Sequence, residues 1–226
     1  METVKAHFEE EANEFDQIIL KLVPYYSEMV RALVAAIPHN TNDPIKVIDL
    51  GCGTGTIAKA VKERFPNSRI TCLDLAENMI EAAKTKLSAY QDITYQVAEF
   101  TSYDFEEKYD VIISSLALHH IVTDAEKIAM YKKLFQALNI GGVFYNADVV
   151  LGATGYLQEL YIEEWKNFML KSVSEEEIET KWLPKYYSED HPAKLTDHLE
   201  WMKEAGFSNI DVVRKYYGGA VWGGIK

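Results

Sequence analysis

The chain has 226 residues, 48% of them apolar and 26% charged, which suits one domain with a core that needs no disulfide scaffold. Its 23 Lys and Arg against 35 Asp and Glu give a net charge of −12, which repels a phosphate backbone at long range and argues against nucleic acid as a partner. No apolar run reaches the roughly 18 residues of a membrane span, and the polar, acidic start is not expected to be a secretory signal.

In chain order, residues 1–40 read as a helical N-terminal cap. Phe15, Ile18, Ile19 and Leu22 share one face, and Pro24 breaks the run. Ile45 to Leu50 is an apolar run that reads as a buried strand. A helix follows from Thr56 to Arg64, then a strand from Arg69 to Leu73. A second helix spans Glu77 to Tyr90, with Ile80, Ala83 and Leu87 at helical spacing. Ile93 to Val97 and Tyr109 to Ser114 read as the third and fourth strands. Thr123 with Glu126 is a capping box that starts the next helix. Gly141 and Gly142 are expected to end it, and Val143 to Ala147 is the fifth strand. This alternation predicts βαβ units and a parallel, doubly wound sheet spanning residues 45–150.

Residues 151–194 interrupt the rhythm and read as a helical lid insertion rather than a second domain. They are rich in aromatic residues, among them Tyr161, Trp165, Trp182 and Tyr186. Tyr161 and Trp165, four apart, form either a core-facing stripe or a hydrophobic cap over a ligand. Ser174 with Glu177 is another capping box. Residues 195–226 give a helix from Leu195 to Ala205, closed by Gly206, and a β-hairpin with Gly218 and Gly219 at its turn. The whole chain, 1–226, thus reads as one domain. Cys52 and Cys72 have no metal-binding spacing and read as reduced thiols of a cytoplasmic protein. A homodimer is compatible with the sequence.

The sharpest motif is Val47 to Gly55, VIDLGCGTG: a strand, then glycines, then a helix. Ligands of open α/β sheets bind at such carboxyl ends, where glycines admit the backbone close to the ligand. The third glycine of a dinucleotide fingerprint is displaced, and the Lys of a phosphate loop is absent. Asp49 would repel a pyrophosphate but suits an ammonium, directly or through water. Asp74, at the end of the second strand, stands where an acid accepts ribose hydroxyls; it could instead cap the next helix. A ligand with ribose, amine and carboxylate but no phosphate fits both acids, and S-adenosylmethionine (SAM) is one.

VIDLGCGTG, the acid in CLDLAENMI, YDVIISSLALHH and LFQALNIGGVF resemble the class I SAM-dependent methyltransferases over about Lys46 to Ala147. That resemblance implies a Rossmann-like seven-stranded sheet, mostly parallel, whose last strand is antiparallel. It implies that Gly51, Cys52 and Gly53 face the methionine part, that Asp49 lies beneath its amino group, and that Asp74 binds the ribose. Leu75, Met79 and Phe100 would flank the adenosine, and Glu99 would accept from the adenine amino group. Ser115 and Leu116 would offer backbone to the methionine part, and Tyr26 would reach back to the cofactor. The implied reaction is methyl transfer to a small-molecule acceptor.

His120, beside His119 just past the fourth strand, is the candidate proton acceptor. No metal is expected, because no third ligand stands at convincing spacing. The ends of the chain resemble the branch containing carboxy-SAM synthase, whose carboxylate-gripping Arg is replaced here by Trp201. Ordinary SAM is therefore expected, with a carboxy-SAM synthase-like enzyme or a non-catalytic SAM-binding module as alternatives.

Overall fold

A computed structural model describes Lys5 and residues 14–226. Seven strands form one sheet in the order β3-β2-β1-β4-β5-β7-β6. They are β1 (Lys46–Leu50), β2 (Arg69–Asp74), β3 (Ile93–Val97), β4 (Tyr109–Ser115), β5 (Leu138–Val149), β6 (Ser208–Tyr216) and β7 (Gly219–Ile225). The first five run parallel, whereas β7 pairs antiparallel with both β5 and β6. The expected doubly wound mixed sheet is the fold.

Val47, Ile48 and Leu50 of β1 are fully buried, because helices cover both faces of a parallel strand. On one face pack α2 (Tyr26–Ala35), α3 (Thr56–Arg64) and α4 (Glu77–Lys86), around Leu33, Val61, Phe65 and Leu87. On the other lie α5 (Asp124–Ala137) and α8 (Leu195–Ala205), around Leu134, Phe144, Met202 and Trp222. The strand order reverses beside β1, between β2 and β4, so the carboxyl end of β1 opens at the switch point.

The N-terminal helix that the structure describes, α1 (Phe15–Leu22), lies over that opening. Phe15 packs on Ala76 and Met79. The lid insertion starts with α6 (Gly155–Met169) and continues through a π-helical stretch, Ile178–Trp182, into α7 (Leu183–Glu189). Met169, Ile178, Trp182 and Leu183 form a small core of their own, which Ile18 and Leu22 of α1 join. The Trp165 indole donates to the Leu22 carbonyl at 2.7 Å. The lid therefore grips α1, and α1 covers the mouth of the sheet.

Several boundaries differ from the sequence expectation. Helix α5 carries its capping box but stops at Ala137, and β5 runs through Gly141 and Gly142. A Cβ at Gly142 would lie 2.9 Å from the Asn139 carbonyl and 3.1 Å from that of Asp110, so this glycine serves close backbone approach, not helix termination. Helix α4 ends at Lys86, not Tyr90. The hairpin turn is Tyr217–Gly218, with Tyr217 left-handed and Gly219 already in β7. The Ser174 hydroxyl accepts from the Glu177 amide at 3.2 Å, but the helix it starts becomes π-helical at Ile178. Among the described residues no helix is long and apolar enough to cross a membrane.

Gly51 has φ 68°, and a Cβ there would sit 2.4 Å from the Ala117 Cβ. Left-handed backbone and steric overlap both oppose a side chain. Gly51→Ala is expected to lower unfolding free energy by about 2–4 kcal/mol in urea titration. Unchanged stability would show that the loop does not adopt this conformation.

Candidate active site

Two cavities meet at the carboxyl ends of β1 and β4. The smaller, about 60 Å³, is bounded by the glycine loop, the start of α4 and the segment after β4. Of the residues singled out from sequence, Tyr26, Gly51, Cys52, Gly53, Asp74, Leu75, Met79, Phe100, Ser115, Leu116 and His120 line it. Sequence reasoning missed Phe15, Thr54, Thr56, Ile57 and Ala117. The two threonines lie in and just after VIDLGCGTG, so their nearness was readable. Phe15 comes from a distant helix and left no local signal.

Asp74 holds the loop together. Its carboxylate accepts from the Gly53 amide at 2.8 Å and from the Ala76 amide at 2.9 Å. The acid therefore ties the end of β2 to the loop while remaining in the cavity wall; the N-cap of the next helix is Ala76, not Asp74.

Asp49 lies beneath the loop, fully buried and outside the cavity wall. Neither carboxylate oxygen meets a hydrogen-bond partner of normal geometry among the described residues. Burial, and then the charge of Asp74, raise its pKa to about 7; the nearby Ala58 amide offsets part of this. The Tyr26 hydroxyl is also pushed upward, by burial and then by the charges of Asp49 and Asp16. This corner is short of positive charge.

Glu99 departs from expectation. Its carboxylate accepts from the Thr101 hydroxyl at 2.5 Å and borders a separate cavity with Ile121, Val122 and Glu126. The adjacent, buried Phe100 lines the smaller cavity instead.

Asp16 of α1 straps the mouth. It accepts from the Thr54 hydroxyl at 2.6 Å and from the Lys86 ammonium at 2.7 Å. Burial raises its pKa, but Lys86 and Thr54 outweigh that and hold it below the usual carboxylate range. The acid is half exposed, so the ion pair contributes at most about 1 kcal/mol.

The larger cavity, about 210 Å³, lies under the lid. Ile18, Leu22, Trp165, Trp182 and Tyr186 supply an apolar wall, and Tyr161 also lines it. The two readings of the aromatic insertion merge here, because Trp165 packs on the lid core and faces the cavity. His119, His120, Asp148 and Asp190 form its polar end. Phe15, Leu116 and His120 line both cavities, which fixes where the two meet.

His119 Nδ1 lies 2.5 Å from Asp148 Oδ1, and its backbone amide donates to Asp148 Oδ2 at 3.1 Å. Burial opposes a charge on His119, but Asp148 and then Asp190 outweigh it and raise its pKa to about 10. Burial, and then the His119 charge, lower that of His120 to about 4. The two carboxylates thus favour a proton on His119, and that charge with burial disfavours one on His120.

The arrangement fits a ligand carrying a cationic amine and a ribose. A buried, unpartnered carboxylate lies under the loop, an acid ends β2, and the walls are apolar. No Lys or Arg lines the smaller cavity among the described residues, whereas a pyrophosphate would call for one.

Residues 47–142 match a family described as a methyltransferase domain. The chain is 25% identical to a carboxy-S-adenosyl-L-methionine synthase of Campylobacter lari, over 91% of this chain and 87% of that one. It is 32% identical to malonyl-[acyl-carrier protein] O-methyltransferase 1 of Ilyobacter polytropus, over 46% of this chain and only 38% of that protein. Its fold is shared with human N-acetylserotonin methyltransferase in complex with SAM. The TM-score there is 0.65 at 18% identity, covering 98% of this chain and 56% of that one. The chain thus spans nearly the full length of the first relative but well under two thirds of the other two.

A carboxyl whose pKa is raised on folding makes the folded state bind more protons than the unfolded one. Its cost is absent below pH about 4 and complete above pH about 7. Asp49→Asn is therefore expected to stabilise the ligand-free protein by roughly 1–3 kcal/mol at pH 8, with the gain vanishing toward pH 4. Thermal unfolding across pH checks this; equal stability at pH 8 would contradict the buried, unpartnered carboxylate.

Proposed function

The chain belongs to the class I SAM-dependent methyltransferases, and from that premise we propose that it transfers a methyl group from SAM to a small-molecule acceptor. One observation carries the reading: a cavity with a cation-seeking floor and a larger apolar cavity share a wall at Phe15, Leu116 and His120. A donor in the first and an acceptor in the second would meet there.

Bound SAM supplies a methyl carbon already activated by a positive sulfur. The work left to the chain is alignment and exclusion of water. Asp74 accepts the ribose hydroxyls while its backbone contacts keep the loop in shape. Asp49 answers the amino group from beneath Gly51 and Gly53. Leu75, Met79 and Phe100 wall the adenosine, and Phe15 closes the mouth. Tyr26 turns an aromatic face toward a cationic ligand, an attraction of about 0.5–2 kcal/mol.

The apolar wall of the larger cavity suits an acceptor with a flat or aliphatic body. Its polar end suits an acceptor whose reacting atom is a hydroxyl, amine or thiol. His120 is the group to receive a hydrogen bond from that atom. Its low basicity makes it a positioning acceptor in the empty site rather than a strong base. Two buried, free cysteines suit a reducing compartment, and we assign the protein to the cytoplasm.

The near full-length likeness to carboxy-SAM synthases supports a second reading, in which the ligand bears an added carboxylate. That carboxylate needs a cationic partner, and none lines the smaller cavity among the described residues. Trp201 sits on α8 against the His198 ring, 5.2 Å between centroids, and lines neither cavity. Ordinary SAM is the better fit. Mass spectrometry of ligand carried through purification separates the two by the mass of the carboxylate.

Asp74→Ala is expected to weaken SAM binding at least tenfold by calorimetry, about 1.4 kcal/mol or more. A folded variant with unchanged affinity would refute the ribose role. In an acceptor panel read by S-adenosylhomocysteine release, His120→Ala should cut turnover at least tenfold at full SAM occupancy. Full turnover would remove His120 from the reaction, and no turnover on any acceptor by the parent chain would favour a binding module.

A further inference from the structure

Sequence spacing supplies no third ligand beside His119 and His120, but the lid supplies one. Asp190 follows α7, and its Oδ1 lies 3.4 Å from His119 Nε2 and 3.6 Å from His120 Nδ1. One ligand atom from each residue falls within 4.8 Å of the other two. From this convergence we propose a divalent metal site, formed by His119 Nε2, His120 Nδ1 and Asp190 Oδ1, for a borderline ion of the Zn²⁺ class.

The separations suit such an ion. Bonds of about 2.0–2.1 Å in a tetrahedral site place neighbouring ligand atoms roughly 3.3–3.4 Å apart. Two of the three edges already lie near that length without an ion. Both histidines are buried, and Asp190 is mostly so, which sets this cluster apart from an exposed group of acids.

The surroundings hold the ligands in place. Asp148 engages His119 through Nδ1 and leaves Nε2 turned to Asp190, the carboxylate–histidine support usual behind a metal ligand. Asp148 is itself fixed by the Val149 amide at 2.8 Å and the Asn146 amide group at 3.3 Å. The segment after α7 is fixed as well. The His191 amide donates to the His119 carbonyl, and the Leu151 amide to the Ala193 carbonyl, both at 2.9 Å. Asp190 therefore stands beside the histidines by backbone anchoring.

Charge points the same way. Asp148 and Asp190 set two carboxylates against the histidines, in a cavity that Glu164, Glu189 and Lys185 also line, and a divalent ion would answer the two that touch the rings. A proton on His119 neutralises one of them when no ion is bound, so ion and proton compete for this ring. Without an ion, His120 Nδ1 carries the hydrogen that the Glu189 carbonyl accepts at 3.2 Å, so an ion bound at Nδ1 breaks this bond and leaves the ring proton on Nε2. The remaining coordination position opens into the larger cavity, where it would take water or the hydroxyl, amine or thiol of a small ligand. Only that last assignment rests on the methyl-transfer reading.

Cobalt titration of the full chain tests the site. Co²⁺ at pH 7.5 should bind one equivalent and show the intense visible bands of a four-coordinate ion, and Zn²⁺ should displace it. Asp190→Ala and His119→Ala should weaken Co²⁺ binding at least a hundredfold, and Asp148→Asn about tenfold to a hundredfold. SAM calorimetry on Asp190→Ala, expected unchanged, shows that this variant is folded. Absence of saturable Co²⁺ binding would overturn the site. So would equal affinity in a SAM-competent Asp190→Ala, or near-ultraviolet sulfur-to-cobalt bands that put the ion on Cys52 or Cys72. A chain that binds Co²⁺ as described but not SAM would retain the metal site and lose the methyl-transfer reading.

Discussion

A buried carboxylate beneath the glycine loop is the constraint on which this molecule is organised. Asp49 is fully buried on β1, an inner strand of the sheet, and neither oxygen meets a hydrogen-bond partner of normal geometry among the described residues. Burying an unpaired carboxylate is costly, and proteins commonly answer by holding the proton. Here the pKa rises to about 7, so the site rests between an acid and an anion. A cation delivered to the loop above would shift that balance toward the anion. The glycine loop and the acid at the end of β2 lie against this unsatisfied charge, beneath the apolar walls of the cavity.

The second organising feature is the shared wall between the two cavities. Phe15 reaches it from α1, Leu116 and His120 from the segment after β4. Leu116 takes a left-handed backbone, φ 51°, so the chain turns sharply between the cavities. Helix α1 is held on one side by the lid core and on the other by the half-exposed Asp16–Lys86 pair. Phe15 adds apolar packing on Ala76 and Met79 at the mouth itself, which outweighs the exposed ion pair in strength.

Much of the fold was legible because it is local. VIDLGCGTG encodes a strand, a turn that needs positive φ and a helix start in one stretch, and Gly51, Gly53 and Gly55 all adopt positive φ. Thr123 and Glu126 form their reciprocal cap within four residues. What the sequence hid depends on distance or on alternation. Gly141 and Gly142 look like a helix stop, yet their neighbours pair with β4 and β7, and tertiary pairing overrides the local signal. Glu99 and Phe100 are adjacent, and only the backbone path after β3 decides which lines the smaller cavity. Asp190 meets His119 across the whole length of α5, β5 and the lid, a convergence no local spacing can carry.

The central claim is that Asp49 is held ready for a ligand's ammonium, and proton release on binding tests it most directly. At pH 6 a carboxyl of pKa about 7 is roughly nine-tenths protonated. SAM binding should then expel close to one proton per chain, measured by calorimetry in buffers of differing ionisation enthalpy. A binding enthalpy that is the same in every buffer would contradict the account.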